Sequence, residues 1–197
     1  MKLKKLEDFQ YYAAGLAGAY HLVYYMPDKD DVTNWTHRVI EFKNGESPVD
    51  YAEITNLMTE AILEADFHFD YVTRVLGHNE IKALNKAPII PFVKEIANAT
   101  GANYHPQLLN KTRTTRPLHT LPTLQERKDE VRGVFFVKDK ELDLNYKRLL
   151  IVDDITTSCT TIAEMVKTLK SEWPNIEIYL LCLARTIHNE PNANQNL

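Results

Sequence analysis

The rhythm of apolar and polar positions changes along the chain, most clearly near residue 69. From Phe69 onward, short apolar runs alternate with helical spacings: "FDYVTRVL", "APIIPFVKEIANATG", "NYHPQLL", "VRGVFFV", "RLLIVDD" and "IEIYLLCLART". Strand-length runs separated by helix-length patterns predict a mainly parallel sheet covered by helices. In "TTIAEMVKTLKSEW", Thr160 to Trp173, the residues Ile162, Met165, Val166 and Leu169 share one helical face. Glu164, Lys167 and Lys170 take the other face, and Pro174 stops the helix. The run from Ile176 to Leu183 is too continuously apolar for an exposed edge and predicts a strand buried on both faces.

The first 68 residues are patterned differently. A helix is expected from Leu6 to Tyr25 and another from Tyr51 to Ala65, with the polar break "MPDKDDVTNW" between them. Pro27 and the Gly45 to Pro48 segment punctuate this region. No repeat of 20 to 50 residues is visible, and the tail "NEPNANQNL" has a composition that favours fraying. The expected organisation is an N-terminal helical elaboration or hood at 1–68, a sheet domain at 69–188 and a flexible tail at 189–197. The expected fold class is α/β, a parallel sheet of about five strands flanked by helices.

Composition narrows the functional classes. With 197 residues, 44% of them hydrophobic, the chain suits one well-cored domain. A formal net charge of −4 argues against an extensive nucleic-acid surface, so any basic site must be local. The two cysteines, Cys159 and Cys182, have neither zinc-site spacing nor disulfide-scaffold density, which suits a reducing cytoplasm. The apolar run Tyr11 to Met26 contains His21, is short for a membrane span and lacks a signal-peptide layout, so a soluble, non-exported protein is expected.

The chemistry concentrates in "RLLIVDDITTSCTT", residues 148–161. A strand-to-helix turn in an open parallel sheet lies where ligands bind, and the helix start offers free N–H groups suited to phosphate. Thr156, Thr157, Ser158, Thr160 and Thr161 add hydroxyls to those amides, while Asp153 and Asp154 sit one step earlier. Carboxylates bind vicinal sugar hydroxyls, so acids followed by a phosphate cradle describe a ribose 5-phosphate site. The bland alternatives are a solvated strand end or a receiver-type acidic pair. Only one strand follows Asp154, against a receiver, and no GxxxxGK is present, against a P-loop. A basic segment, "NKTRTTRPLHTLPTLQERK", carries Lys111, Arg113, Arg116, Arg127 and Lys128. As a mobile loop it would close over an anionic ligand and exclude water.

"LLIVDDITTSCTT" resembles the phosphoribosyl-pyrophosphate motif of type I phosphoribosyltransferases. "HTLPTLQERKDEVRGVFFV" and the terminal "LCLART" resemble ComF-like members of that group, with His119 at a usual Gln and Glu130 at a usual Asn. "DYVTRVLGH", Asp70 to His78, has the spacing of the family's pyrophosphate loop, and "KALNK" echoes a further family segment. The resemblance covers roughly residues 38 to 186. It implies a type I phosphoribosyltransferase-like sheet, a phosphoribosyl pyrophosphate ligand with Mg²⁺, and catalytic roles for Asp153 and Asp154. It further implies that Ile155, Thr156, Thr157, Ser158, Cys159, Thr160 and Thr161 hold the 5-phosphate. Pyrophosphate would fall to Arg74, Gly77, His78, Lys111 and Arg113, with no metal held by protein ligands alone.

Departures from the family pattern are local. Cys159 stands at the usual Gly of the turn, adding a Cβ where backbone would approach phosphate. A helix N-terminus lowers a thiol pKa and would make Cys159 reactive; simple replacement of Gly is the plainer reading. The N-terminal zinc cysteines of many ComF-like proteins are missing, since no Cys precedes residue 159. The expected activity is transfer of phosphoribose to an undetermined base or amine. The alternative is a non-catalytic phosphoribosyl or nucleotide-binding accessory, for example in DNA uptake or processing. No membrane partner is expected, and a homodimer is left open.

Overall fold

The computed structural model describes residues 1–27, 31–188, 190 and 192–195. Eight strands and six α-helices follow one another in these residues: β1 (Lys4–Lys5), α1 (Phe9–Ala13), β2 (Gly18–Tyr25), α2 (Trp35–Asn44), α3 (Pro48–Glu64), β3 (Tyr71–Arg74) and α4 (Ile89–Thr100). Then come β4 (Asn103–Tyr104), β5 (Leu109–Lys111), a short 3-10 turn (Leu118–Thr120), α5 (Leu124–Val131), β6 (Phe135–Val137), β7 (Arg148–Thr156), α6 (Thr160–Glu172) and β8 (Glu177–Thr186). The main sheet has six strands in the order β1-β2-β8-β7-β3-β4, and β5 pairs with β6 in a separate antiparallel ribbon. Only β1 runs antiparallel to its neighbour; β2, β8, β7, β3 and β4 are mutually parallel. The α/β class and the parallel core of about five strands are therefore as the sequence pattern predicts.

Both faces of the sheet are covered. On one, Leu149 and Ile151 of β7 pack with Ile162, Met165, Val166 and Leu169 of α6 and with Tyr11 of α1. On the other, Leu150 and Val152 pack with Phe42 of α2, Ile54 and Met58 of α3, and Phe92 and Ile96 of α4. The alternation of odd and even positions along β7 is the strand period at work. α6 occupies the predicted span because its apolar stripe is unambiguous and Pro174 follows it. α3 begins where Ser47 Oγ accepts from the Asp50 amide at 3.2 Å and Pro48 takes the first helical position.

The expected helix at 6–25 is not formed. Only Phe9–Ala13 is helical; Gly15, at φ 93°, ends that turn, and Gly18–Tyr25 becomes β2, paired in parallel with β8. Ala19, Leu22 and Val23 are fully buried, as is His21. A strand buried on both faces has no alternation to betray it, so its continuous apolar run reads equally well as a buried helix. The segment assigned to a helical hood thus supplies two strands of the sheet besides α1, α2 and α3. In the tail, residues 189, 191, 196 and 197 lie outside the described residues. Asn194 is buried and brackets Tyr24, accepting from its amide and donating to its carbonyl, both at 2.9 Å.

Candidate functional site

β7 delivers the acid pair to the carboxyl edge of the sheet, beside the ends of β3 and β8. Strand alternation sends the two carboxylates to opposite faces. Asp153 shares the side of Leu149 and Ile151 and lies opposite Cys182 of β8. Asp154 shares the side of Leu150 and Val152, where Lys43 from the last turn of α2 places its Nζ 3.3 Å from Oδ2. Burial, and then the neighbouring charge of Asp154, push the Asp153 pKa well above the usual carboxylate range. Lys43 opposes that shift. The Ile155 amide donates to Asp154 Oδ1 at 2.6 Å, so the second acid is also fixed by its own backbone.

Thr156 ends the strand with its hydroxyl 3.1 Å from the Tyr11 phenol. Thr157 is exposed and its Oγ1 meets Thr186 Oγ1, at the end of β8, at 2.8 Å; Ser158 Oγ and Thr160 Oγ1 meet at the same distance. Cys159 is the residue before α6 and adopts the left-handed conformation at φ 57°, a region that penalises a Cβ. No side chain caps α6, so its first-turn N–H groups face the turn without side-chain partners. The Cys159 thiol is buried, and burial pushes its pKa up to about 12, against the depression a helix N-terminus alone would cause. The reactive-thiol reading is therefore set aside.

Arg74, at the end of β3, is buried and faces Glu80. Its Nη1 donates to Oε2 at 2.7 Å and its Nη2 to Oε1 at 2.5 Å. Burial alone would raise Glu80, but hydrogen bonds from Arg74 and from the Gly77 and Leu84 amides outweigh it and hold the carboxyl below its ordinary value. The guanidinium thus shapes the loop after β3, while Gly77 and His78 lie exposed on that loop. Lys111 is buried, and its Nζ donates to the Gly77 carbonyl at 2.7 Å. Desolvation lowers the lysine to about 8 despite the nearby Glu80 charge. The Thr115 amide donates to the His78 carbonyl at 2.8 Å, tying the basic segment to the same loop.

The basic segment is more ordered than loop composition suggests. Glu130 accepts from Arg113 Nη1 at 2.9 Å, from Arg116 Nε at 2.8 Å and from the Arg116 amide at 3.0 Å. Those bonds, first the Arg116 amide and then both guanidiniums, hold Glu130 down to about 2. α5 starts with a reciprocal capping box between Thr123 and Glu126, which turns the second half of the segment into helix. Arg113 and Arg116 keep half or more of their side-chain surface exposed, so both remain presented to solvent.

No family model and no curated protein matches the chain. Solved structures do resemble it. One is a purine phosphoribosyltransferase from Pyrococcus horikoshii Ot3, at 13% identity over 70% of this chain and 86% of that one, with a TM-score of 0.40. Another is a hypoxanthine phosphoribosyltransferase from Staphylococcus aureus, at 12% identity over 77% and 76%, with a TM-score of 0.41. A third is an adenine phosphoribosyltransferase, at 14% identity over 73% and 82%, with a TM-score of 0.43. Likeness at this level says nothing about chemistry, which rests on the residues themselves.

Lys43 and Tyr11 carry no local sequence signal: each is an ordinary residue within its own stretch and reaches Asp154 or Thr156 only through the sheet topology. Glu80 and Glu130 act at one remove, holding Arg74 and the arginines Arg113 and Arg116. The acid pair and hydroxyl turn, by contrast, are contiguous in sequence.

Proposed function

We propose that the protein binds a phosphorylated ribose, as phosphoribosyl pyrophosphate or a nucleotide, at residues 153–161. The observation that carries this reading is the order of groups leaving β7: two carboxylates, then a hydroxyl-rich turn, then an uncapped helix start. In this reading the Asp153 and Asp154 carboxyls hold the ribose hydroxyls. Ile155 through Thr161 form the 5-phosphate cradle. The exposed loop at Gly77 and His78, shaped by Arg74 and Lys111, takes the pyrophosphate end with Arg113.

Among the described residues, no group of three or more His, Cys, Asp or Glu side chains is placed to hold a metal. A Mg²⁺ ion would fit here only when the ligand's own phosphates complete its coordination, with the Asp154 carboxylate as a protein oxygen donor. When bound, it would neutralise charge on the pyrophosphate leaving group. The acids favour positive charge at the anomeric carbon while the basic segment receives the departing anion, which is the division of labour a phosphoribosyl transfer requires. Two buried free thiols suit a reducing cytoplasm. Among the described residues no helix is long and apolar enough to cross a membrane.

A second reading is a phosphoribosyl-binding module without turnover. Cys159 favours it, because a side chain in the left-handed turn limits how closely backbone can approach phosphate. Calorimetry with ribose 5-phosphate and with phosphoribosyl pyrophosphate plus Mg²⁺ tests the shared site. Binding that Asp154→Ala abolishes is the expected result; no binding at millimolar concentration refutes the assignment. Pyrophosphate release across a panel of bases and amines then separates transferase from binding module.

A further inference from the structure

The chain's N-terminal segment touches the turn from beneath, and the ribose-phosphate reading gives it nothing to do. Tyr11 is fully buried, with its phenol 3.1 Å from Thr156 Oγ1. Beside it, Gln10 Nε2 donates to the Thr157 carbonyl at 3.4 Å. Asp8 Oδ1 accepts from Arg185 Nη2 at 2.7 Å, and Arg185 is the residue paired with Thr156 across β7 and β8. Three contacts from residues 8–11 therefore reach the neighbouring ends of β7 and β8.

The end of β7 needs support. Within four residues of Thr156 the chain must leave the sheet, pass through a non-glycine residue at positive φ and start a helix without a side-chain cap. Such a conformation persists only where its surroundings hold it. The Thr157 to Thr186 contact anchors one side, and residues 8–11 supply the other. The Tyr11 phenol is suited to this because burial raises its pKa, so it remains a neutral hydroxyl.

We infer that Tyr11 is a positioning residue for the phosphate-facing turn: its hydroxyl fixes Thr156 and thereby pre-forms the 157–160 backbone before any ligand arrives. The inference rests on reading 153–161 as the ribose-phosphate site. A pre-formed turn binds its anion without first losing conformational freedom, so loosening it weakens affinity while the ligand's contacts remain the same.

Tyr11→Phe is the test, because it keeps the buried ring and removes one hydroxyl. Affinity for ribose 5-phosphate, read by calorimetry, is expected to fall roughly three- to ten-fold, the range one net hydrogen bond supports. Affinity for inorganic pyrophosphate, whose proposed contacts lie at residues 74–78 and 111–113, should not change. Amide hydrogen exchange in the ligand-free protein should rise at 157–160 and stay constant at 77–80. Unchanged or tighter ribose 5-phosphate binding overturns the inference, as does an equal loss of pyrophosphate affinity. Should the unmodified protein bind no ribose 5-phosphate, the site reading fails by itself and exchange decides the brace: faster exchange confined to 157–160 supports it, and no change overturns it.

Discussion

Lys43 Nζ lies 3.3 Å from Asp154 Oδ2, so a lysine at the end of α2 sets the charge around an acid pair at the end of β7. Both partners are partly exposed, and such a pair contributes only ~0–1 kcal/mol to stability. Its effect is electrostatic: it opposes the rise that burial and Asp154 impose on Asp153. Lys43→Met is expected to leave the unfolding midpoint nearly unchanged and to raise the Asp153 pKa further. Carboxyl-carbon NMR titration measures the second effect, and an unmoved Asp153 would show that the lysine's field does not reach it.

Asp153 itself makes stability depend on pH in a defined direction. Its folded pKa is raised, so the folded state binds more protons than the unfolded state between the ordinary carboxylate value and the raised one. Stability therefore falls as pH rises through that window. Asp153→Asn removes the ionisation and should flatten the fall. At pH 7 it should raise the midpoint, by ~2–4 °C for each kcal/mol that the ionised carboxylate costs. Thermal melts of both proteins from pH 4 to 8 give the comparison, and a midpoint lowered at pH 7 would contradict the burial argument.

The contrast between β2 and β7 shows what could be read from the chain. β7, α6 and β8 follow from sequence because the helical period of α6, closed by Pro174, separates two strand-length apolar runs. β2 does not, because Ala19, Leu22 and Val23 face packed protein on both sides and leave no alternation. The same division holds at the candidate site. Asp153 to Thr161 form one contiguous signal, whereas the Tyr11 to Thr156 contact spans 145 residues. Glu130 was visible only as a departure from a family's usual Asn. Its work of holding two arginines joins α5 to the segment that follows β5.

Glu130 should govern the order of the basic segment. Its folded pKa is held down to about 2, so the stabilisation it provides is complete above the ordinary carboxylate value and is lost as pH falls from there towards 2. Glu130→Gln at neutral pH keeps the shape and removes the charge that joins Arg113 to Arg116. Tryptic cleavage after Arg113 is expected to be slow in the unmodified protein and clearly faster in the variant. Equal rates would mean that other contacts hold the segment.

Arg74 and Glu80 form a buried pair, and removing one partner strands the other's charge. Glu80→Ala is expected to cost about 3–5 kcal/mol in denaturant unfolding, as for other broken buried pairs. It should also release the Gly77 and Leu84 amides that Glu80 now accepts from. Replacing both residues, Arg74→Met with Glu80→Met, should cost less than Glu80→Ala alone, because no isolated charge remains. A double variant weaker than the single one would show that shaping the loop, not neutralising charge, dominates.

Cys159 offers the sharpest separation of backbone from side-chain effects at the turn. Its φ of 57° is easy for glycine and strained for any residue with a Cβ, while its side chain is buried among the residues packed on α6. Cys159→Ala and Cys159→Gly both lose the thiol, but only the second relieves the backbone. The glycine variant should therefore be more stable than the alanine variant by about 1 kcal/mol, the usual preference at a left-handed position. Since the same amides remain and the Cβ is gone, glycine should also bind ribose 5-phosphate more tightly than either other form. The thiol gives an internal control: with its pKa pushed up to about 12, it should resist iodoacetamide at pH 8 while folded and react once the protein is unfolded. Equal stability of the two variants would place the turn in a different conformation in solution. Weaker phosphate binding by glycine would mean that the buried thiol holds the cradle in shape and that ordering of the turn outweighs closer approach.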